Sequence, residues 1–261
     1  MTNPHGTPIW YELLSAEPDR AKRFYEAVVG WTIHPADPGG MDYRMIDAGG
    51  GAFVGGLAGH QPGQSPPQID PGWHFYVGVD DVDATVARIA TAGGSVRIPA
   101  FDLPGVGRMA YVADPQGNPF YVMRGASTES STAWDRTGMG KCNWNELTTT
   151  DQAAGNDFYA NVFGWSFPGS MPMGDMGDYI FVAVGDETIG ATMRQGSPEQ
   201  PAGWLFYFRA PDIDVAADTV RTEGGTVHAG PMDVPGGDRI IVASDPMGAP
   251  FGIVAPGGKG E

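Results

Sequence analysis

Residues 7–31 and 141–165 align without a gap and share eight identities, among them Trp10/Trp144, Glu12/Glu146, Phe24-Tyr25/Phe158-Tyr159 and Gly30-Trp31/Gly164-Trp165. The later parts of the chain repeat as well. Segment 73–96 (WHFYVGVDDVDATVARIATAGGSV) matches 204–227 (WLFYFRAPDIDVAADTVRTEGGTV), and 104–120 matches 235–251 with eight identities in seventeen positions. A repeat of this length is domain-sized, so the chain is a tandem duplication and not a solenoid. Segment 127–140, STESSTAWDRTGMG, is rich in Ser, Thr and Gly and reads as the connection between the copies.

Each copy divides again. The first half opens with a strand over 8–14, then a helix with Ser15 or Glu17 as cap and Pro18 near its first turn. Ala21, Phe24, Tyr25 and Val28 share one helical face, and Gly30 ends the helix. Short strands follow at Tyr43–Ile46 and Phe53–Leu57. The second half repeats the scheme: a strand over 74–79, a helix from Val82 to Ala92 stopped by Gly93-Gly94, then strands near Ser95–Ile98, Arg108–Ala113 and Phe120–Met123. Asp114-Pro115-Gln116-Gly117 joins the last two strands, and Asp245-Pro246-Met247-Gly248 repeats the device. Four strand–helix–strand–strand–strand modules result. A helix covers one face of each sheet, so the other face must meet another module or a ligand.

The formal charge of −16 and the lack of any Lys/Arg cluster exclude nucleic acid and anionic membrane surfaces as expected partners. One cysteine, Cys142, excludes an intrachain disulfide and reads as a small buried apolar group. No leader-like segment or apolar run of membrane-spanning length is present, so a cytoplasmic protein acting as monomer or homodimer is expected.

The Phe-Tyr…Gly-Trp helix end, the Gly-Gly-x-Val after the second helix and the Asp-Pro-x-Gly turn resemble the vicinal-oxygen-chelate superfamily of glyoxalases, bleomycin-resistance proteins and extradiol dioxygenases. Trp-x-Glu-Leu at the start of both copies resembles the tandem glyoxalase-like proteins of actinobacteria. The resemblance implies an α+β fold with two tandem glyoxalase-like domains, each built of two βαβββ modules whose curved sheets form a cup. The expected boundaries are 1–126 (modules about 7–60 and 73–125), a linker at 127–139, and 140–261 (modules about 141–195 and 204–255).

The resemblance also implies a divalent metal held by His and Glu from four strands. Carried over position by position, the first-strand ligand becomes Trp10 in copy one and Trp144 in copy two. An indole N–H only donates. The next strand of interest, Phe53–Leu57 or Ile189–Met193, offers no carboxylate and places Gly56 and Gly190 in its middle. The third position is His74 in copy one and Leu205 in copy two; the fourth is Tyr121 and Gly252. One plausible ligand in eight positions does not anchor a catalytic ion, so no metal and no other cofactor is expected.

A small-molecule ligand, aromatic or apolar, is then the expected partner. Trp10 and Trp144 either stack on it or pack in the core. Glu12 and Glu146 share the strand face of those indoles and need a partner, for which Arg108 and Arg239 are candidates in both copies. Copy one adds His74, Tyr76, Tyr111 and Tyr121, where copy two has Leu205, Tyr207, Val242 and Gly252. The alternative is a glyoxalase-like lyase or hydroxylase/dioxygenase-like enzyme, with Glu12 as base assisted by His74 and Tyr121. Loop 170–178, with Met171, Met173 and Met176, is either an adaptable lid or a mobile surface loop. Either the two halves of one copy face each other, or the first half of each copy faces the second half of the other; both arrangements are compatible with the sequence.

Overall fold

The computed structural model describes the chain except Met1, Thr2, Asp37, Gly39, Pro62, Gln64, Glu199 and residues 258–261. The first copy runs β1 (Pro8–Ser15), α1 (Pro18–Val29), β2 (Thr32–Ile33), β3 (Tyr43–Asp47), β4 (Phe53–Gly59), β5 (Gly72–Gly78), α2 (Val82–Thr91), β6 (Ser95–Leu103), β7 (Gly107–Ala113) and β8 (Pro119–Gly125). The second repeats it: β9 (Cys142–Thr149), α3 (Gln152–Phe163), β10 (Ser170–Pro172), β11 (Asp178–Val184), β12 (Glu187–Arg194), β13 (Gly203–Arg209), α4 (Ile213–Thr222), β14 (Thr226–Asp233), β15 (Asp238–Ser244) and β16 (Pro250–Pro256). The protein is α+β, with two eight-stranded mixed sheets ordered β2-β3-β4-β1-β5-β8-β7-β6 and β10-β11-β12-β9-β13-β16-β15-β14. The helix crossover makes β1 parallel to β4 and β5 parallel to β8, while the hairpins stay antiparallel.

Local details differ from the sequence reading in instructive ways. Glu17 occupies the N-cap of α1 without a side-chain capping bond; the Ser15 hydroxyl instead accepts from the Glu17 N–H at 3.1 Å. Strand β6 runs to Leu103, five residues past its expected end, because bulges carry it along β7. The Met-bearing loop is structured: β10 pairs with β11, and Gly174–Met176 forms a 3-10 turn. The presumed linker is tied down too. Asp135 and Ala133 exchange backbone bonds with Cys142, and the Trp31 indole donates to the Gly140 carbonyl at 2.6 Å.

Packing divides the chain into two compact units, each drawing on both copies. One comprises Met1–Ile9, His74–Ser131 and Trp144–Trp204; the other comprises Trp10–Trp73, Thr132–Asn143 and Leu205–Glu261. Each therefore joins the first module of one copy to the second module of the other, the crossed alternative.

The repeated motifs build the core of each unit. In the second unit Trp73 donates to the Tyr25 hydroxyl at 2.8 Å, and Tyr25 donates to Asp245 at 3.3 Å. Trp31 stacks on Tyr25 with centroids 5.7 Å apart. In the first unit Tyr159 donates to Asp114 at 3.0 Å, and Trp165 stacks on Tyr159 at 4.9 Å. The same aspartates hold their turns: Asp114 accepts from the Asn118 N–H, and Asp245 from the Ala249 N–H, both at 2.9 Å. Gly94 and Gly225 leave room for the phenylalanine of the partner module. A Cβ there would lie 3.0 Å from Phe158 and 2.9 Å from Phe24 respectively. Phe-Tyr, Gly-Trp, Gly-Gly and Asp-Pro-x-Gly are thus one interlocking set. Burial pushes the Tyr25 and Tyr159 phenols well above their ordinary range, with the facing aspartate adding to it.

Candidate functional site

The first-strand tryptophans are half-buried, and each finds the same kind of partner. In the second unit Trp10 Nε1 donates to Tyr43 Oη at 2.8 Å. In the first unit Trp144 Nε1 donates to Tyr179 Oη at 2.7 Å, and Tyr179 Oη donates onward to Glu146 Oε2 at 2.6 Å. Sequence reasoning missed both tyrosines. The signal was present: Asp42-Tyr43 and Asp178-Tyr179 are a repeated pair, 33 and 35 residues beyond the tryptophans they bond.

Strand register explains the small residues opposite. Glu12 is level with Gly56 across β1–β4, and Glu146 is level with Ala191 across β9–β12. Gly190 therefore corresponds to Gly55, one residue from the place first assigned to it. A Cβ on Gly56 would stand 2.2 Å from Tyr43 Oη. The tyrosine from β3 fills the space that a longer β4 side chain would need.

In the first unit β5, β7 and β8 bring four predicted residues together. His74 Nδ1 lies 3.2 Å from Tyr111 Oη, Tyr76 stacks on Tyr121 with centroids 4.2 Å apart, and Tyr111 meets Tyr121 at 4.6 Å. All four are buried. The corresponding positions in the second unit are simpler. Tyr207 is level with Gly252, where an added Cβ would fall 2.1 Å from the phenol ring; Val242 flanks the same glycine. Tyr207 thus lies directly over the glycine that replaces Tyr121.

Two expected participants stand elsewhere. Arg108 grips Asp83 through two bonds of 2.8 Å and Asp102 at 3.1 Å, while Arg239 binds Asp214 at 2.6 Å. Asp83 and Asp214 lie on the helices that follow β5 and β13, and Asp102 lies on β6; the tyrosine hydroxyl takes the place proposed for arginine beside Glu146. The buried arginine is Arg209, forked onto Asp238 at 3.1 and 2.8 Å and bonded to Asn143 at 3.2 Å. Glu12 is buried in the second unit, whereas His74 and Tyr121 belong to the first.

The donor set does not fit a divalent metal. Two indoles, two glycines, an alanine, a leucine, a phenol and the single imidazole of His74 at the eight strand positions provide no imidazole–carboxylate shell. Among the described residues no three His, Cys, Asp or Glu side chains stand close enough to share an ion.

Comparison with known proteins places these features in context. Residues 12–123 match the model described as "Glyoxalase-like domain", and 141–253 match "Glyoxalase/Bleomycin resistance protein/Dioxygenase superfamily". The chain is 35% identical over 253 residues to "Putative glyoxylase CFP32" of Mycobacterium tuberculosis, covering 96% of this chain and 95% of that protein. It is 32% identical to "Anthracycline biosynthesis protein DnrV" of Streptomyces peucetius, with 95% and 93% covered. Among solved structures, the Mn(II)-bound glyoxalase from Novosphingobium aromaticivorans shares the fold at a TM-score of 0.64 and 18% identity, covering 97% of this chain and 83% of that one. The 2,3-dioxygenase LapB from Pseudomonas sp. KL28 does so at 0.62 and 16%, with 99% and 93% covered.

Proposed function

Because the chain belongs to the glyoxalase/bleomycin resistance protein/dioxygenase superfamily, we propose that it is a metal-independent binding protein for a flat aromatic metabolite. The observation that carries this reading is the Trp–Tyr hydrogen bond repeated in both copies at the metal-ligand seat. It holds a half-exposed indole in a fixed orientation, ready to stack, and the indole N–H only donates, so it cannot grip a cation. A relative named for anthracycline biosynthesis supports a polycyclic aromatic as the ligand class.

The test is saturable quenching of tryptophan fluorescence by a panel of soluble polycyclic quinones, after exhaustive dialysis against chelator. Binding unchanged by chelation, and weakened about tenfold in Trp10→Ala or Trp144→Ala, is expected. Absence of saturable quenching throughout the panel would remove the proposal, as would a stoichiometric transition metal lost with His74→Ala.

A second reading is favoured by the His74–Tyr111 contact at 3.2 Å, which pairs two groups able to exchange a proton. It makes the protein a metal-free enzyme of the glyoxalase or dioxygenase-like class with His74, Tyr111 and Tyr121 of the first unit in acid–base roles, and without Glu12, which belongs to the other unit. Turnover of a bound quinone that disappears in His74→Gln, with the fold intact, distinguishes it from simple binding.

A further inference from the structure

Side chains alternate along β11. Tyr179 turns to the sheet face where it bonds Trp144 and Glu146, so Ile180 turns to the opposite face, toward α3. There, wholly within the first unit, Ile180, Phe167, Ala153, Asn156 and Asp157 line an open groove of about 450 Å³. That volume suits a small molecule. The three α3 residues share one helical face.

In copy one the chain's own cations occupy the matching place. Lys22 stands where copy two has Asn156, and its ammonium donates to the Ile33 carbonyl and the Glu26 carboxylate. Arg44 stands at the place of Ile180, bonded to Asp19 at 2.7 Å and to Asp42 at 2.7 and 3.0 Å. Copy two carries neither cation, yet it keeps acceptors. Phe167 corresponds to Ile33, and its carbonyl meets no donor among the described residues. Asp157 is exposed on α3 and makes no ion pair among the described residues. Asn156, 9% exposed, is oriented from behind. Gln152 Nε2 donates to Thr192 Oγ1 at 3.3 Å, and that hydroxyl donates to Asn156 Oδ1 at 2.9 Å. The Asn156 NH2 is left as the donor on the groove side.

We infer that this groove is a second ligand site, taking a small primary amine that carries an oxygen acceptor. The ammonium takes the place of Lys22 Nζ and donates to the Phe167 carbonyl and the Asp157 carboxylate. The stem lies on Phe167, Ala153 and Ile180, and the oxygen accepts from Asn156. Because Ile180 faces away from the Trp144–Tyr179 bond, the site is independent of whatever fills the tryptophan seat.

The experiment follows the Phe167 backbone and Asn156 side-chain N–H signals in nitrogen-15 NMR spectra of the full chain. The probes are 4-aminobutan-1-ol, cationic at neutral pH, and the neutral butane-1,4-diol. Saturable shifts of these signals by the amine are expected, with the diol at least about fivefold weaker. Asp157→Asn, on the exposed side of α3, should weaken the amine about fivefold. Asn156→Lys installs the copy-one residue and should abolish binding by supplying the ammonium itself. Ile180→Arg fills the groove and makes the same test should Asn156→Lys fold poorly. The inference is overturned if the amine shifts neither signal, if the diol binds as tightly, or if Asp157→Asn leaves the amine affinity unchanged. Amine binding that survives in a folded Asn156→Lys or Ile180→Arg variant would overturn it too.

Discussion

Gly56→Ala isolates the relation between β4 and the tyrosine that seals the seat. Gly56 has no positive φ, so alanine meets no backbone penalty there. With free space above it, alanine would stabilise the protein by about 0.4–1 kcal/mol through the unfolded chain. The space is taken: the new methyl would lie 2.2 Å from Tyr43 Oη, 2.3 Å from Cζ and 2.7 Å from Cε1. Tyr43 must swing away, breaking the bond from Trp10. Overpacking of about 1–3 kcal/mol and a lost hydrogen bond of about 1 kcal/mol outweigh the entropic gain, giving a net loss of about 1–3 kcal/mol. Urea unfolding of Gly56→Ala, Tyr43→Ala and the double variant measures it. The pair should couple by at least about 1 kcal/mol, since removing the ring removes the clash. Gly55→Ala is the control: its methyl would meet the Tyr11 carbonyl oxygen at 2.0 Å, and Tyr43→Ala gives no relief. A stabilised Gly56→Ala, or strictly additive costs, would refute the sealed seat. Gly56→Glu is expected to remain without affinity for Zn or Mn in calorimetry for the same reason.

Tyr25→Phe keeps the ring but leaves the Trp73 N–H without its 2.8 Å acceptor, and should cost about 1–3 kcal/mol in chemical denaturation. An ultraviolet titration should show Tyr25 and Tyr159 still protonated above the ordinary phenol range, since burial raises both; ionisation of all nine phenols within that range would contradict the packing. Burial likewise raises the Asp245 carboxyl above its ordinary range, ahead of the turn N–H bonds that oppose it. The folded state then holds this proton more tightly than the unfolded chain. Its contribution is fully present below the ordinary carboxylate value and is lost as pH rises through the raised one. Asp245→Asn should therefore gain on wild type between acid and neutral pH in urea midpoints, whereas a pH-independent difference would contradict the shift. Arg108→Gln, on the exterior, should leave quinone affinity unchanged in the fluorescence assay.

Much of the architecture was legible in one dimension because a tandem repeat carries its own alignment. Helix α1 is announced by Pro18 and closed by Gly30, and each Asp-Pro-x-Gly places a hairpin whatever the neighbours do. That Trp10, Trp144, Tyr121 and Gly252 stand where the family resemblance implies metal ligands is likewise read from the residues without coordinates. Tyr43 and Tyr179 escaped notice because a bond between residues 33 or 35 positions apart depends on strand order and register, which local periodicity does not encode. Arg108 and Arg239 misled for a related reason. Repetition marks them as important, yet only the fold shows that their partners are aspartates on exposed helices. The crossed pairing of modules was undecidable from the chain alone, because duplicated modules present near-identical faces. What selects it is packing between distant side chains, Phe24 against Gly225 and Phe158 against Gly94, and that fit exists only once the modules are folded.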